Sequence, residues 1–278
     1  MDLVNAAGPA RERLAALPRP LGFVPTMGAL HSGHLRLVQA AHERCASVAV
    51  SVFVNPMQFG PGEDLQSYPR DVEGDTAKLA RSGVDLAFIP QLEVMYPPGF
   101  STFVDVGEIG AAYEGRMRPT HFRGVTTVVT KLLHIVKPDV LFVGQKDAQQ
   151  TAVLRKLVSE LDFDVHVQII PTVREPDGLA LSSRNVYLSQ DQRANAPTLH
   201  AALQAMLSEL RAGHDCGQAR ECAARVLQGA TWDYLDVVDM DTFAPQRFLS
   251  PPAFVIGAAR FGTTRLIDNL MVREGDEP

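Results

Sequence analysis

The sequence predicts an α/β protein: a parallel sheet with helices on both faces, followed by a smaller C-terminal α+β domain. Three observations carry that expectation. Up to residue 172, short apolar runs alternate with stretches of helical period, the order expected of strands joined by crossover helices. The runs are apolar on both parities, as in Val48–Val54 (VAVSVFV), which marks strands buried on two faces. Polar clusters punctuate the carboxyl ends of three of them, at Thr26–His34, Asn55–Gln58 and Gly144–Gln150, where parallel sheets bind their ligands. Right-handed crossovers then give a Rossmann-like arrangement.

Taken in order, Leu21–Pro25 reads as a strand broken by Thr26-Met27-Gly28. Leu35, Val38, Ala41 and Cys45 recur every three or four residues and mark a helix face after His34, with Cys45 in the core. Val48–Val54 is the next strand, 71–82 a helix, and Val84–Ile89 a further strand. Val125–Val136 reads as a helix stopped before Pro138, Val140–Val143 as a strand, Gln149–Leu161 as a helix and Val165–Ile170 as a strand. Beyond Pro171 the pattern changes. A polar loop, Arg174–Asn185, precedes a long helix over Gln190–Leu210 and a second over Gln218–Gln228. Short strand-like runs follow at Tyr234–Val238, Phe254–Ala259 and Arg265–Asp268, the last two joined by a turn at Gly262. Trp232 and Tyr234 are expected to pack this part. The domains are therefore 1–172 and a lid-like 173–278, with the first few residues and Arg273–Pro278 frayed.

Composition narrows the function classes. The 278 residues are 46% apolar, enough for a packed core, and 21% charged, with a net charge of −6 that offers no overall cationic field for a nucleic-acid backbone. No apolar run nears the ~20 residues of a membrane span, and the N-terminus has no signal-like core. Three cysteines are too few for a disulfide framework or a zinc site. A soluble, cytoplasmic protein without membrane or nucleic-acid partners is expected.

The sharpest motif is PTMGALHSGH, Pro25–His34, between a strand and a helix. Backbone N–H groups and the helix dipole favour phosphate there; Gly28 permits a tight turn, and Gly33 lets a ligand approach the backbone. His31 and His34 share the first helical turn and can donate to phosphate oxygens that gain charge. A zinc pair would need a third ligand, and none is evident. In FVNPMQFG, Asn55 and Gln58 offer amides that orient a small polar substrate without adding charge, with Met57 and Phe59 as an apolar wall. The following Glu63-Asp64 and Tyr68-Pro69-Arg70 lie on a polar loop, either a lid or a solvated connection. In GQKDAQQ, Lys146 is a point charge suited to phosphate, Asp147 holds a ribose hydroxyl or a metal, and Gln150 reaches back over the strand end. In LSSRN, two hydroxyls and Arg184 form a compact phosphate-binding set. His121, before a helix, either faces the site or packs away from it.

With RPTHFRGV and GTTRLIDN, these four segments resemble the pantoate–β-alanine ligase family, within the adenylate-forming HxGH nucleotidyltransferases, over residues 25–269. The resemblance implies an ATP-dependent condensation of (R)-pantoate with β-alanine through a bound pantoyl adenylate, in a homodimer using Mg²⁺. Met27, Gly28, Ala29, Leu30, His31, Ser32, Gly33 and His34 match an ATP-binding segment, with His34 catalytic and His31 its phosphate-contacting neighbour. Gly144, Gln145, Lys146 and Asp147, and Leu181, Ser182, Ser183 and Arg184, match further ATP segments, and Val173 an adenine-side contact. Lys146, Ser182, Ser183 and Arg184 would hold the phosphates with Mg²⁺. Gln58 and Gln150 match pantoate-binding positions, with Asn55 beside them, and Gln58 also lies near the β-alanine path. Three positions depart from the family pattern: Gln145 where Glu is usual, Ala148 for an aromatic, and Leu181 for Met. A phosphomonoester-using nucleotidyltransferase is the alternative, and the neutral amides at 55, 58 and 150 separate the two.

Overall fold

The computed structural model describes residues 1–63, 65–227 and 229–276. Its chain forms two compact units, the first comprising 1–144 with 153–170 and the second 145–152 with 171 onward.

In the first unit β1 (Asp2–Val4), β2 (Leu21–Thr26), β3 (Ser47–Val52), β4 (Leu86–Phe88), β5 (Val140–Gly144) and β6 (His166–Ile170) form one sheet in the order β1-β4-β3-β2-β5-β6. Every pairing is parallel. Phe23 and Val24 are neighbours of opposite parity and both are fully buried, so both faces of β2 are covered. On one face Val24, Val48, Val50 and Phe142 pack under Leu37, Val38 and Ala41 of α2 (Ser32–His42) and Leu79 of α3 (Val72–Arg81), with Cys45 at the margin. On the other lie α1 (Ala7–Ala15) and α6 (His121–Val136), which pack on each other; two short helices, α4 (Leu92–Met95) and α5 (Glu114–Met117), precede α6. The order reverses between β2 and β5, which makes the carboxyl ends of those strands the switch point at which such sheets bind ligands. The N-terminus corrects the sequence reading. Rather than fraying, Asp2–Val4 adds a parallel edge strand to β4, too short to announce itself in an apolar pattern.

The second unit contains the short α8 (Gln190–Asn195) and packs α9 (Thr198–Arg211) and α10 (Cys216–Val226) against an antiparallel sheet of β7 (Thr231–Asp239), β8 (Ala253–Phe261) and β9 (Thr264–Val272). The helix α7 (Ala148–Glu160) starts in this unit and ends in the first. The single helix expected over 190–210 is two, divided at Ala196-Pro197, because proline supplies no N–H to the turn before it. The strands are longer than their apolar runs: β7 and β9 mix buried with partly exposed polar positions, whereas the central β8 is buried at every position but Arg260. Trp232 does not pack inward but stands 38% exposed. Gln228 and the last two residues, parts of an expected helix and a frayed tail, lie outside the described residues. No helix among the described residues is long and apolar enough to cross a membrane.

Candidate active site

The turn after β2 is built around a buried carboxylate. Gly28 (φ +86°) and Ala29 (φ +51°) both sit in the left-handed region, so the chain reverses sharply. Asp75, on the first turn of α3 and 1% exposed, accepts the N–H of Ala29 at 2.8 Å and of Leu30 at 2.7 Å. Lys78, one turn on, donates to the Leu30 carbonyl at 2.8 Å and lies 3.7 Å from Asp75. A Cβ at position 28 would come within 2.9 Å of Asp75 Oδ2, a second reason for glycine.

The two histidines then cap α2. His31 Nδ1 accepts the Gly33 N–H at 3.1 Å, and His34 Nδ1 accepts the His31 N–H at 3.3 Å, with the rings 4.1 Å apart. Because each Nδ1 accepts, each ring carries its proton on Nε2 and donates through that atom. The backbone N–H groups expected to cradle phosphate are largely committed. Those of Gly28, Ala29, Leu30, His31 and Gly33 all have acceptors within the protein. Gly33 is small for a different reason from the one expected, since a Cβ there would strike the His31 ring at 2.8 Å.

The neighbouring strand β3 leads into a 3₁₀ turn at Pro56–Gln58. Asn55, 1% exposed, uses all its polar valence internally. Its Nδ2 donates to Gln58 Oε1 at 3.0 Å and to the Gly124 carbonyl at 3.1 Å; its Oδ1 accepts from the Met57 N–H at 3.3 Å and the Tyr96 hydroxyl at 2.8 Å. This corrects its assignment as a substrate-binding amide: Asn55 orients Gln58 instead. Burial pushes the Tyr96 phenol up, which keeps it a donor.

The Gln58 carbonyl accepts from His121 Nδ1 at 2.9 Å and Arg118 Nη2 at 3.2 Å, and Arg118 also grips Glu63 through two nitrogens at 2.6–3.0 Å. Burial, with the Arg118 cation beside it, lowers His121 to about 4, so the ring is neutral at ordinary pH. The Glu63 carboxyl is held below its usual range, burial being outweighed by Arg118. His121 thus faces Gln58 through its backbone; Asp64 lies outside the described residues.

In the second unit Lys146 lies 3.7 Å from Asp147 and lines a small cavity with Ser182, His200 and Asp268. Ser182 Oγ accepts the Arg184 N–H at 3.2 Å, opening a 3₁₀ turn over Ser183–Tyr187. Leu181 N–H donates to the Val173 carbonyl at 2.9 Å, which ties those two segments together. Gly144 ends β5 in the first unit, whereas Gln145, Ala148 and Gln150 belong to the second. Asp75 carried no sequence signal, because a lone charged residue in a helix looks solvated; Arg118 and Asp268 lie within the segments RPTHFRGV and GTTRLIDN, but nothing in those segments gave either residue a role.

The chain matches the model of the pantoate-beta-alanine ligase family over residues 4–271. It is 51% identical over 270 residues to a pantothenate synthetase of Acidobacterium capsulatum, covering 92% of this chain and 87% of that one. A Chloroflexus aurantiacus pantothenate synthetase is 50% identical over 99% of both chains. Among solved structures, pantothenate synthetase from Thermus thermophilus superposes with a TM-score of 0.92 at 48% identity, covering 98% of this chain and 100% of that one. A Francisella tularensis pantoate-beta-alanine ligase, solved with beta-gamma ATP and beta-alanine, does so at 0.81 and 33% identity, covering 98% and 97%. The chain belongs to the pantoate–β-alanine ligase family.

Proposed function

We propose that the chain joins (R)-pantoate to β-alanine with ATP in two steps. The pantoate carboxylate attacks the α-phosphorus and pyrophosphate leaves, giving pantoyl adenylate. The β-alanine amine then attacks the acyl carbon, loses a proton, and AMP leaves. The observation that carries this reading is the pairing, on adjacent strand ends, of two Nε2–H imidazoles after β2 with the neutral amide Gln58 after β3. Imidazole donors suit charge developing on phosphate, and a neutral amide suits a hydroxy acid rather than a phosphomonoester.

In this reading His34 and His31 donate to the phosphates, and Gln58 with Gln150 binds pantoate. Lys146, Ser182, Ser183 and Arg184 hold the polyphosphate, with Val173 on the adenine side. Among the described residues no three His, Cys, Asp or Glu side chains form a metal cage. Mg²⁺ commonly arrives on phosphates and needs only one or two protein carboxylates. Asp147, half exposed beside Lys146, is the carboxylate suited to it. The ion supplies neutralisation of phosphate charge. The family resemblance also implies a cytoplasmic homodimer, which sedimentation would check.

Pyrophosphate–ATP exchange with pantoate and Mg²⁺, and β-alanine omitted, tests the reading. Pantoate-dependent exchange supports it; none in folded, ATP-binding protein refutes it.

A further inference from the structure

The segment Gly262–Asn269 has no part in the chemistry drawn above, yet its last two residues are buried polar groups, Asp268 at 4% and Asn269 at 1% exposure. All the contacts that follow lie within the second unit. Asn269 Nδ2 donates to the carbonyls of both Gln145 and Lys146 at 2.9 Å, and its Oδ1 accepts from Gln145 Nε2 at 3.1 Å. The two carbonyls fix which end of the Asn269 amide is nitrogen, and hence that the partner on its oxygen must be a donor. Gln at 145, where the family usually has Glu, meets that demand.

Asp268 does the same for a second segment. Arg174, adjacent to Val173, donates to both its carboxylate oxygens at 2.6 and 2.8 Å and to the Asn269 carbonyl at 3.3 Å. His200 stands 3.4 Å away, and the Asn269 N–H donates to the same carboxylate at 2.8 Å. Although burial opposes it, His200 and Arg174 hold the Asp268 carboxyl below its ordinary range. Val173 is bonded in turn to Leu181.

We infer that Asp268 and Asn269 are positioning residues for ATP. They pin the Gln145–Lys146 turn and the Val173–Arg174 segment to one point of β9, so that Lys146 and the Leu181–Arg184 turn meet the nucleotide in a fixed register. This inference rests on the assignment of Lys146 to ATP in the preceding section. Asn269→Asp is nearly isosteric and can still accept from Gln145, but it cannot donate to the two carbonyls. Loss of those two bonds raises the KM for ATP ~10–30-fold in pyrophosphate exchange, leaves pantoate affinity within about twofold, and restores most of kcat at saturating ATP. Gln145→Ala removes only the third bond and raises the same KM about 3–5-fold.

An ATP KM unchanged in a cooperatively folded Asn269→Asp protein, or an equal loss of pantoate affinity, overturns the inference. If Asn269→Asp does not fold, Gln145→Ala decides, and no change there overturns it. Lys146→Ala is measured alongside. An unaffected ATP KM in that variant removes the ATP assignment and this inference with it, whereas an impaired Lys146→Ala beside a silent Asn269→Asp removes only the inference.

Discussion

Replacing Asp75 with Asn tests whether a buried carboxylate, rather than the glycine-containing sequence alone, holds the histidine turn in shape. The native carboxylate takes two backbone N–H bonds, from Ala29 and Leu30, on its two oxygens. Asparagine keeps one acceptor and turns an NH₂ group toward the other N–H. One charge-assisted bond is lost, worth about 1.5–3 kcal/mol, and two donors face each other in a site 1% exposed, adding roughly 1 kcal/mol or more. The lost Lys78 pairing adds less than about 1 kcal/mol, because Lys78 is 32% exposed. The sum is ~3 kcal/mol, about a hundredfold in the folded-to-unfolded ratio. Ala29, held at φ +51° by these bonds, would relax, move both imidazoles, and slow adenylate formation at least ~10-fold. The one tryptophan, Trp232, lies in the second unit, so urea unfolding is best followed by far-UV circular dichroism, with amide exchange at Ala29 and Leu30 as the local probe. A variant within about 0.5 kcal/mol of wild type, with those two amides still protected, would refute the reasoning.

Three further outcomes are expected. His34→Ala lowers single-turnover adenylate formation ~10²–10³-fold, the usual cost of one donor aimed at developing charge; a near-native rate removes His34 from that role. Gln58→Ala weakens pantoate binding while sparing ATP, and equal losses in calorimetry count against the assignment. His121 supplies a pH signature. Its folded pKa of about 4 lies below the unfolded value near 6.5, so the unfolded chain takes up the proton first as pH falls. Stability should drop between about pH 6.5 and 4, by on the order of 3 kcal/mol in total, and His121→Asn should flatten that slope in urea titrations at a series of pH values.

The sheet was legible because its signal is local. A strand covered on two faces is apolar on both parities, and Val48–Val52 meets that condition with Ser51 as its one polar residue. Asp2–Val4 was not legible: one of its three residues is buried, and its strand character comes from the β4 backbone beside it. The break at Pro197 was written in the sequence, but the apolar positions Leu199, Leu203, Met206 and Leu210 continue the helical period and hide it.

The site divides along the same line. Residues that meet the ligand in the proposed reading lie in short contiguous segments, because a loop at a strand end presents consecutive side chains to one place. The residues that shape those segments lie far from them in the chain, and even where they fall inside a recognisable segment, as Arg118 and Asn269 do, the segment does not say which turn they serve. Asp75 lies more than forty positions from the turn it closes, Arg118 sixty from Gln58, and Asn269 more than a hundred from Lys146. Each satisfies backbone groups that a functional loop cannot pair internally, since a turn open enough to receive a substrate leaves its own N–H and C=O groups without ladder partners. A remote, buried, charged or amide side chain is the economical solution, and the turn it serves depends on packing that its own local sequence does not encode. Asn55 shows how the two classes are confused. It sits inside a recognisable segment and looks like a substrate amide until its four hydrogen bonds are counted, and the count assigns it to the supporting set.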